Sequence, residues 1–244
     1  MKNLVFDIGN TLAKYAVFQD GIILDEKVLE QLTEKECQDI IDRNSGIDAV
    51  LFSAVGELSD DVVAKMKELV DYVIVANHET ALPCKNSYKT KETLGFDRIA
   101  ACIGATCIEP NKNILVIDAG TAITYDLITA EGEYLGGLIS PGISMRYRAL
   151  SEFTVKLPLC EITNETPLVG TTTRESIVGG VQNGVINELS AYISSINDIY
   201  ADINVFLTGG DAFFFDKKLK NSIFVNQKLL FYGLNRILEY NAEK

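Results

Sequence analysis

Histidine is almost missing from this chain: His78 is the only one in 244 residues. It sits in a polar stretch without clustered carboxylates, so neither a histidine-built metal site nor a histidine general base is expected. Paired cysteine motifs are absent. Cys37, Cys84, Cys102, Cys107 and Cys160 make an odd count with no CxxC, which suits a reducing compartment and excludes a disulfide framework. Cys102 and Cys107 lack the further soft ligands that zinc would require. Positive charge is also short: 22 Lys and Arg stand against 34 Asp and Glu, a net charge of −12. That balance argues against nucleic acid and anionic membrane as partners. A phosphorylated ligand is still compatible with it, since local N–H groups and Mg²⁺ can offset distant acid. No apolar run approaches a membrane span, and no basic segment leads into an apolar core and cleavage site. A cytoplasmic protein is therefore expected. The GxGxxG and GxxxxGK[ST] phosphate fingerprints are absent, as are Gly/Ser/Pro linkers and low-complexity tracts.

Present instead is one phrase used twice. Residues 3–12 read NLVFDIGNTL and residues 114–123 read ILVIDAGTAI. Each is an apolar strand ending in an aspartate, then glycine, then threonine. Glycine opens backbone N–H groups toward an anion, threonine adds a hydroxyl, and aspartate can hold a metal or its water shell. One such turn alone reads equally well as a tight turn with a solvated aspartate. Two of them, Asp7 and Asp118, opening two halves of the chain, point to a duplicated phosphate-binding device. Hydrophobic content of 47% is ample for real cores in two domains.

The pattern around each turn supports the duplication. Strands are predicted at 3–8, 12–18 and a short apolar run after Gly21, then a helix at 33–43 capped by Thr33, with Glu36 three residues later. A buried strand at 49–54, a helix at 59–71 capped by Ser59 and a strand at 72–75 follow. Residues 77–94 read as a surface loop, and residues 95–107 as a helix. The second half repeats strands at 114–119, 122–128 and 133–139, then the glycine-rich GGLISPG at 136–142. Helices are predicted at 144–153, 173–196 and 228–240, an irregular segment at 158–170, and strands at 203–207 and 223–225. Gly179, Gly180 and Gly184 inside the long helix predict close packing. The strand at 203–207 ends in TGGDA. These features predict an α/β protein of two similar domains, residues 1–114 and 115–244, with room for the C-terminal helix to cross back.

Four motifs stand in order: DIGNT at 7–11, DAGTAITYD at 118–126, GGLISPG at 136–142 and TGGDA at 208–212. The first two resemble the phosphate motifs, and the last the adenosine motif, of the actin-like, sugar-kinase and Hsp70-like ATPase superfamily. LGFDR at 94–98, preceded by Tyr88, resembles the pantothenate motif of the type III pantothenate kinases. The resemblance runs from residue 3 to about residue 236. It implies duplicated actin-like ATPase (ribonuclease H-like) domains, mixed sheets flanked by helices, with nucleotide between them. It implies ATP-dependent phosphorylation of pantothenate, the first step toward coenzyme A.

Carried onto this sequence, the first phosphate loop is Asp7, Ile8, Gly9, Asn10, Thr11, Leu12, Ala13 and Lys14, with Asp7 near Mg²⁺–ATP. Thr121 matches a phosphate contact, and Asp118 the ligand of a monovalent cation, K⁺ or ammonium. Gly209, Gly210 and Asp211 match the adenosine end. Asp97 matches the general base, flanked by Gly95, Phe96 and Arg98, with Tyr88 as a substrate contact. Thr173 matches a contact donated across a homodimer interface, although Thr171 and Thr172 stand beside it and could serve instead. Read without the family, Asp97–Arg98 is a helix-end ion pair on a solvated surface, the threonines are an N-cap, and TGGDA is an ordinary turn. A kinase for another small alcohol, or a non-catalytic regulator on this fold, is the alternative function.

Overall fold

Strand formation follows the apolar runs closely. The computed structural model describes residues 1–9, 12–200 and 202–243. Along the chain come β1 (Lys2–Ile8), β2 (Ala13–Gln19), β3 (Ile22–Leu29), α1 (Glu34–Arg43), β4 (Ala49–Ala54), α2 (Asp60–Leu69), β5 (Tyr72–Val75), β6 (Lys85–Asn86) and α3 (Phe96–Ile108). Then follow β7 (Ile114–Ala119), β8 (Ala122–Ile128), β9 (Glu133–Pro141), α4 (Ile143–Glu152), α5 (Thr173–Ile199), β10 (Asn204–Thr208), α6 (Ala212–Asp216), β11 (Phe224–Val225) and α7 (Leu229–Ala242). The chain divides into two units. The first comprises residues 1–111, 131–135 and 228–244, the second residues 112–130 and 136–227.

In the first unit the strand order is β3-β2-β1-β4-β5. β1 pairs antiparallel with β2 and parallel with β4; β2 is antiparallel to β3 and β4 parallel to β5. In the second unit the strands run β9-β8-β7-β10-β11, with β7 antiparallel to β8, parallel to β10, and β10 parallel to β11. The order β9-β8-β7-β10-β11 repeats that of the first sheet, with β6 added beside β9 as a sixth strand. Asp7 is the next-to-last residue of β1, as Asp118 is of β7. These are the duplicated, mixed, helix-flanked sheets that the repeated phrase predicts.

Residues 3–6 of β1 are fully buried because helices cover both faces of the sheet. Leu4, Phe6, Val50 and Phe52 pack with Cys37 and Ile40 of α1 and with Val62 and Met66 of α2. Thr33 and Ser59 cap these two helices through hydrogen bonds from Glu36 N–H and Asp61 N–H. On α7, Tyr232 meets Phe18 edge to face at 5.8 Å, and Asn235 accepts a buried hydrogen bond from Asn3 at 2.8 Å. The core of the second unit joins Leu115, Ile117, Tyr125 and Leu207 to Val185 and Leu189 of α5.

Three expectations are corrected. First, the cut at 114/115 assigns residues 228–244 to the second domain, whereas α7 packs in the first unit against α3, the crossing back for which the boundary left room. The cause is backbone-to-backbone contact. A Cβ on Gly233 would lie 1.7 Å from Ala100 O, and one on Gly104 would lie 1.9 Å from Leu229 O. Second, β3 runs on to Leu29, because edge strands tolerate the polar DEK that interrupts its apolar run. Third, only Gly179 of the α5 glycines is closely packed within the chain, with its would-be Cβ 2.4 Å from Pro167 O; Gly180 and Gly184 face open space.

Candidate active site

In the first unit, β1 delivers Asp7 opposite Lys14 of β2 and beside Ser53 of β4. The three residues share one sheet face. Ser53 is buried and its hydroxyl has no hydrogen-bond partner. Burial pushes the Asp7 carboxyl from 3.8 up to about 6; Lys14 pulls it down and the nearby charge of Asp97 pushes it further up. Beyond Asp7 the loop is closed by Gly9 N–H donating to Leu12 O at 3.0 Å. Ile8 and Ala13 are buried, while Leu12 and Lys14 are exposed. Asn10 and Thr11 lie outside the described residues.

Asp97 occupies the first turn of α3, where the helix dipole favours a carboxylate. Its Oδ1 accepts the N–H of Arg98 at 2.9 Å. Gly95 caps the helix, and a Cβ there would come within 2.5 Å of that same oxygen. A side chain at 95 and this Asp97 rotamer are therefore mutually exclusive. Arg98 is only 8% exposed, which removes the reading of a solvated surface pair. Its guanidinium carbon lies 5.8 Å from the centre of the Tyr88 ring. Tyr88 is braced by its N–H bond to Asn86 Oδ1 and by the Tyr134 ring at 6.4 Å. That bracing was not legible in the sequence: β6 lies inside the supposed loop and pairs with Glu133 and Tyr134. Five residues scattered along the sequence, Asp7, Lys14, Tyr88, Asp97 and Arg98, are thus linked by contact, register or field within one unit. Phe96, half-buried, opens the helix beside them.

In the second unit, Asp118 of β7 is in register with Thr124 and Thr208. Gly120 N–H donates to Ala122 O at 3.0 Å, closing the turn and leaving Thr121 exposed. Gly209 has φ +91°, a conformation that favours glycine, and its would-be Cβ lies 2.3 Å from Asp118 Oδ1 and 2.4 Å from Ala119 O. Asp211 N–H donates to Ala119 O at 2.9 Å, and burial raises the Asp211 carboxyl above its ordinary value. The turn at 118–121 and TGGDA therefore sit against each other. Gly120, Thr121, Gly210 and Asp211 line one cavity of about 660 Å³, opposite Met145 and Arg148 of α4. A larger cavity of about 1100 Å³ lies under residues 159–167 and holds none of the predicted residues.

The three threonines divide their work. Thr172 Oγ1 caps α5 by accepting Glu175 N–H, and Thr171 donates both its N–H and its hydroxyl to Glu175 Oε2 at 2.7 Å. Thr173 has neither task and lines a groove with Leu150, Phe153, Leu157 and Ile177. Sequence reasoning missed Gly142, whose N–H donates to Thr121 O, and the side chains Ser53, Arg146 and Glu188. Only Gly142 carried a signal, as the last glycine of GGLISPG.

Residues 3–195 match the family Type III pantothenate kinase. A relative of that description from Phocaeicola vulgatus is 42% identical over 239 residues, which is 98% of each chain. Among solved structures, a conserved putative Baf family transcriptional activator from Campylobacter jejuni aligns with TM-score 0.64 and 24% identity over 99% of this chain and 100% of that one. The ROK hexokinase of Thermus thermophilus aligns with TM-score 0.51 and 12% identity over 99% and 100%. These structural likenesses show the fold alone, mixed α/β sheets flanked by helices.

Proposed function

This chain belongs to the type III pantothenate kinase family, whose reaction, ATP-dependent phosphorylation of pantothenate, it performs in coenzyme A biosynthesis, and we propose which residues carry each part of it. The observation that carries the assignment is Asp97, held at the start of α3 beside a buried Arg98 and close enough to act on the charge of Asp7. Asp97 is the general base. It accepts the proton of the pantothenate hydroxyl as that oxygen bonds to the γ-phosphorus and the bond to the leaving ADP oxygen breaks. Arg98 and Tyr88 hold the substrate, the guanidinium suiting its carboxylate, and Gly95 and Phe96 shape the space around Asp97. Asp7, Gly9, Lys14 and their loop, with Thr121, take the phosphates; Gly209, Gly210 and Asp211 take the adenosine end.

Two cations fit these residues. Among the described residues no group of three His, Cys, Asp or Glu side chains could bind a metal by itself. Mg²⁺ needs no such cage when one carboxylate and the nucleotide phosphates hold it, and a buried carboxylate with a raised pKa such as Asp7 is suited to that. Asp118 Oδ1 and Ala119 O lie together against Gly209, hard oxygen donors of the kind that K⁺ or ammonium takes. When bound, the cations supply charge neutralisation at the phosphates.

A homodimer that shares the site is supported by the α5 neighbourhood. Phe153, Leu168 and Val169 are highly exposed, Gly180 and Gly184 face open space, and Thr173 is the one threonine of three not engaged at the helix cap. No described helix is long and apolar enough to cross a membrane, and the five cysteines, all free, support a cytoplasmic protein.

Steady-state kinetics on Asp97→Asn test the base. The loss should fall on kcat, about 10²–10⁴-fold, with ATP binding little changed. A kcat within about threefold of wild type would end the assignment. Asp118→Asn should sharply raise the K⁺ or ammonium needed for activity. An unchanged cation dependence would show another ligand.

A further inference from the structure

Arg146 of α4 makes three charge-assisted contacts at once. Its Nε donates to Pro141 O at 2.8 Å, and a terminal nitrogen donates to Ser140 Oγ at 2.9 Å and to Glu188 Oε2 at 2.7 Å. Glu188, on α5, accepts at its other oxygen the hydroxyl of Tyr125 from β8 at 2.9 Å. Burial alone would push the Glu188 carboxyl up. The hydrogen bonds from Arg146, Ser140 and Tyr125 outweigh burial and hold it below the usual carboxylate range. The pair is only partly exposed on both sides, so water screens it less than an ordinary surface ion pair.

What the pair fastens is the backbone leading into Gly142. The N–H of Gly142 donates to Thr121 O at 3.0 Å. Its Cα lies so close that a Cβ would be 2.1 Å from Gly120 O and 2.6 Å from Thr121 O. The second phosphate turn thus rests directly on the segment that Arg146 grips. We propose that Arg146, anchored by Glu188, is a positioning residue for phosphoryl transfer, fixing the segment 140–142 that supports Gly120 and Thr121 and so acting on the ATP side of the reaction. This rests on the reading above that Thr121 contacts ATP phosphate. Its physical basis is preorganisation: donors aimed at a phosphate are effective in proportion to how little they must be reordered when it binds.

The test compares Arg146→Gln, Arg146→Lys, Glu188→Gln and Thr121→Ala in the full-length protein, with melting temperature and both Michaelis constants measured. Arg146→Gln should raise the KM for ATP on the order of tenfold and leave that for pantothenate within about twofold. Lysine should rescue part of the loss, because one ammonium cannot serve Pro141 O, Ser140 and Glu188 in the same geometry. Glu188→Gln, which keeps the side-chain shape, should shift the KM for ATP in the same direction and decides the matter if Arg146→Gln does not fold. If Thr121→Ala leaves the KM for ATP unchanged, the reading of the turn fails and the proposal with it. If Thr121→Ala raises it but the folded Arg146 and Glu188 variants do not, the positioning role alone falls. A parallel rise in both Michaelis constants with a lowered melting temperature would likewise overturn it in favour of a general structural role.

Discussion

Replacing Gly95 by alanine separates the placement of Asp97 from the stability of the fold. The backbone at residue 95, φ −56° and ψ 124°, is open to any L-residue, so alanine meets no conformational strain. Its methyl group would instead lie 2.5 Å from Asp97 Oδ1, where ordinary contact begins at 3.4 Å. The neighbour is the end of a rotatable side chain and not backbone, so the carboxylate retreats and the helix stays. Alanine gains roughly 0.4–1 kcal/mol from the less disordered unfolded chain. It loses a comparable few tenths to about 1 kcal/mol as a poor helix cap. The melting temperature should therefore remain within about 3 °C of wild type. Activity should not: the oxygen must move by about 1 Å, and a misplacement of that size costs on the order of 10²-fold in rate. The variant should show kcat reduced about 10- to 100-fold, less than Asp97→Asn, with a normal KM for ATP. Circular-dichroism melting and steady-state kinetics on one preparation suffice. A kcat within twofold of wild type would mean that this Asp97 rotamer is not the reactive one. A large fall in melting temperature would refute the argument that the side chain yields first.

Asp7, with its pKa raised to about 6, favours the folded state fully only below 3.8, and that contribution is lost as pH rises through 6. In metal-free buffer Asp7→Asn should therefore gain stability relative to wild type between pH 4 and pH 7, by up to about 3 kcal/mol, in urea unfolding; an equal difference at both pH values would discard burial as the cause. Gly233→Ala and Gly104→Ala drive a methyl group to 1.7 Å and 1.9 Å from carbonyl oxygens of the facing helix. Backbone cannot step aside as a side chain can, so each should cost about 4 kcal/mol or more, seen as lost soluble protein or a collapsed urea midpoint, and a near-normal midpoint would show that α7 is not seated on α3 as described.

The strands and their terminal aspartates were legible because a buried strand next to a glycine turn is a local pattern. Four or five apolar residues, an aspartate and a glycine say the same thing at 3–9 and at 114–120. Helix starts at Thr33 and Ser59 were legible for the same reason, since a cap is written within three residues. The relation of Asp97 to Gly95 was written only as a motif. The physical link, a glycine that leaves room for the carboxylate two residues on, needs the rotamer to be seen.

What stayed hidden depends on contacts between distant segments. Gly104 and Gly233 are 129 positions apart, and nothing in either helix alone says that they meet. A glycine in a helix lowers propensity whether it faces a partner backbone, as Gly233 does, or open space, as Gly184 does. Sequence reading therefore treated the α5 glycines as the packing signal and passed over the pair that packs. The same holds for Arg146 and Glu188. Each is a charged residue on a helix, and the usual reading of such a residue is a solvated face. Only the fold brings Glu188 to Arg146, and only then does the pair bear on the segment beside Thr121. The groups proposed to meet substrate lie in short contiguous motifs, while the groups that hold those motifs in place are spread over α3, α4, α5 and α7. Kinetic tests on the supporting residues, more than on the motif residues, will therefore measure what this particular fold adds to its two Asp-x-Gly turns.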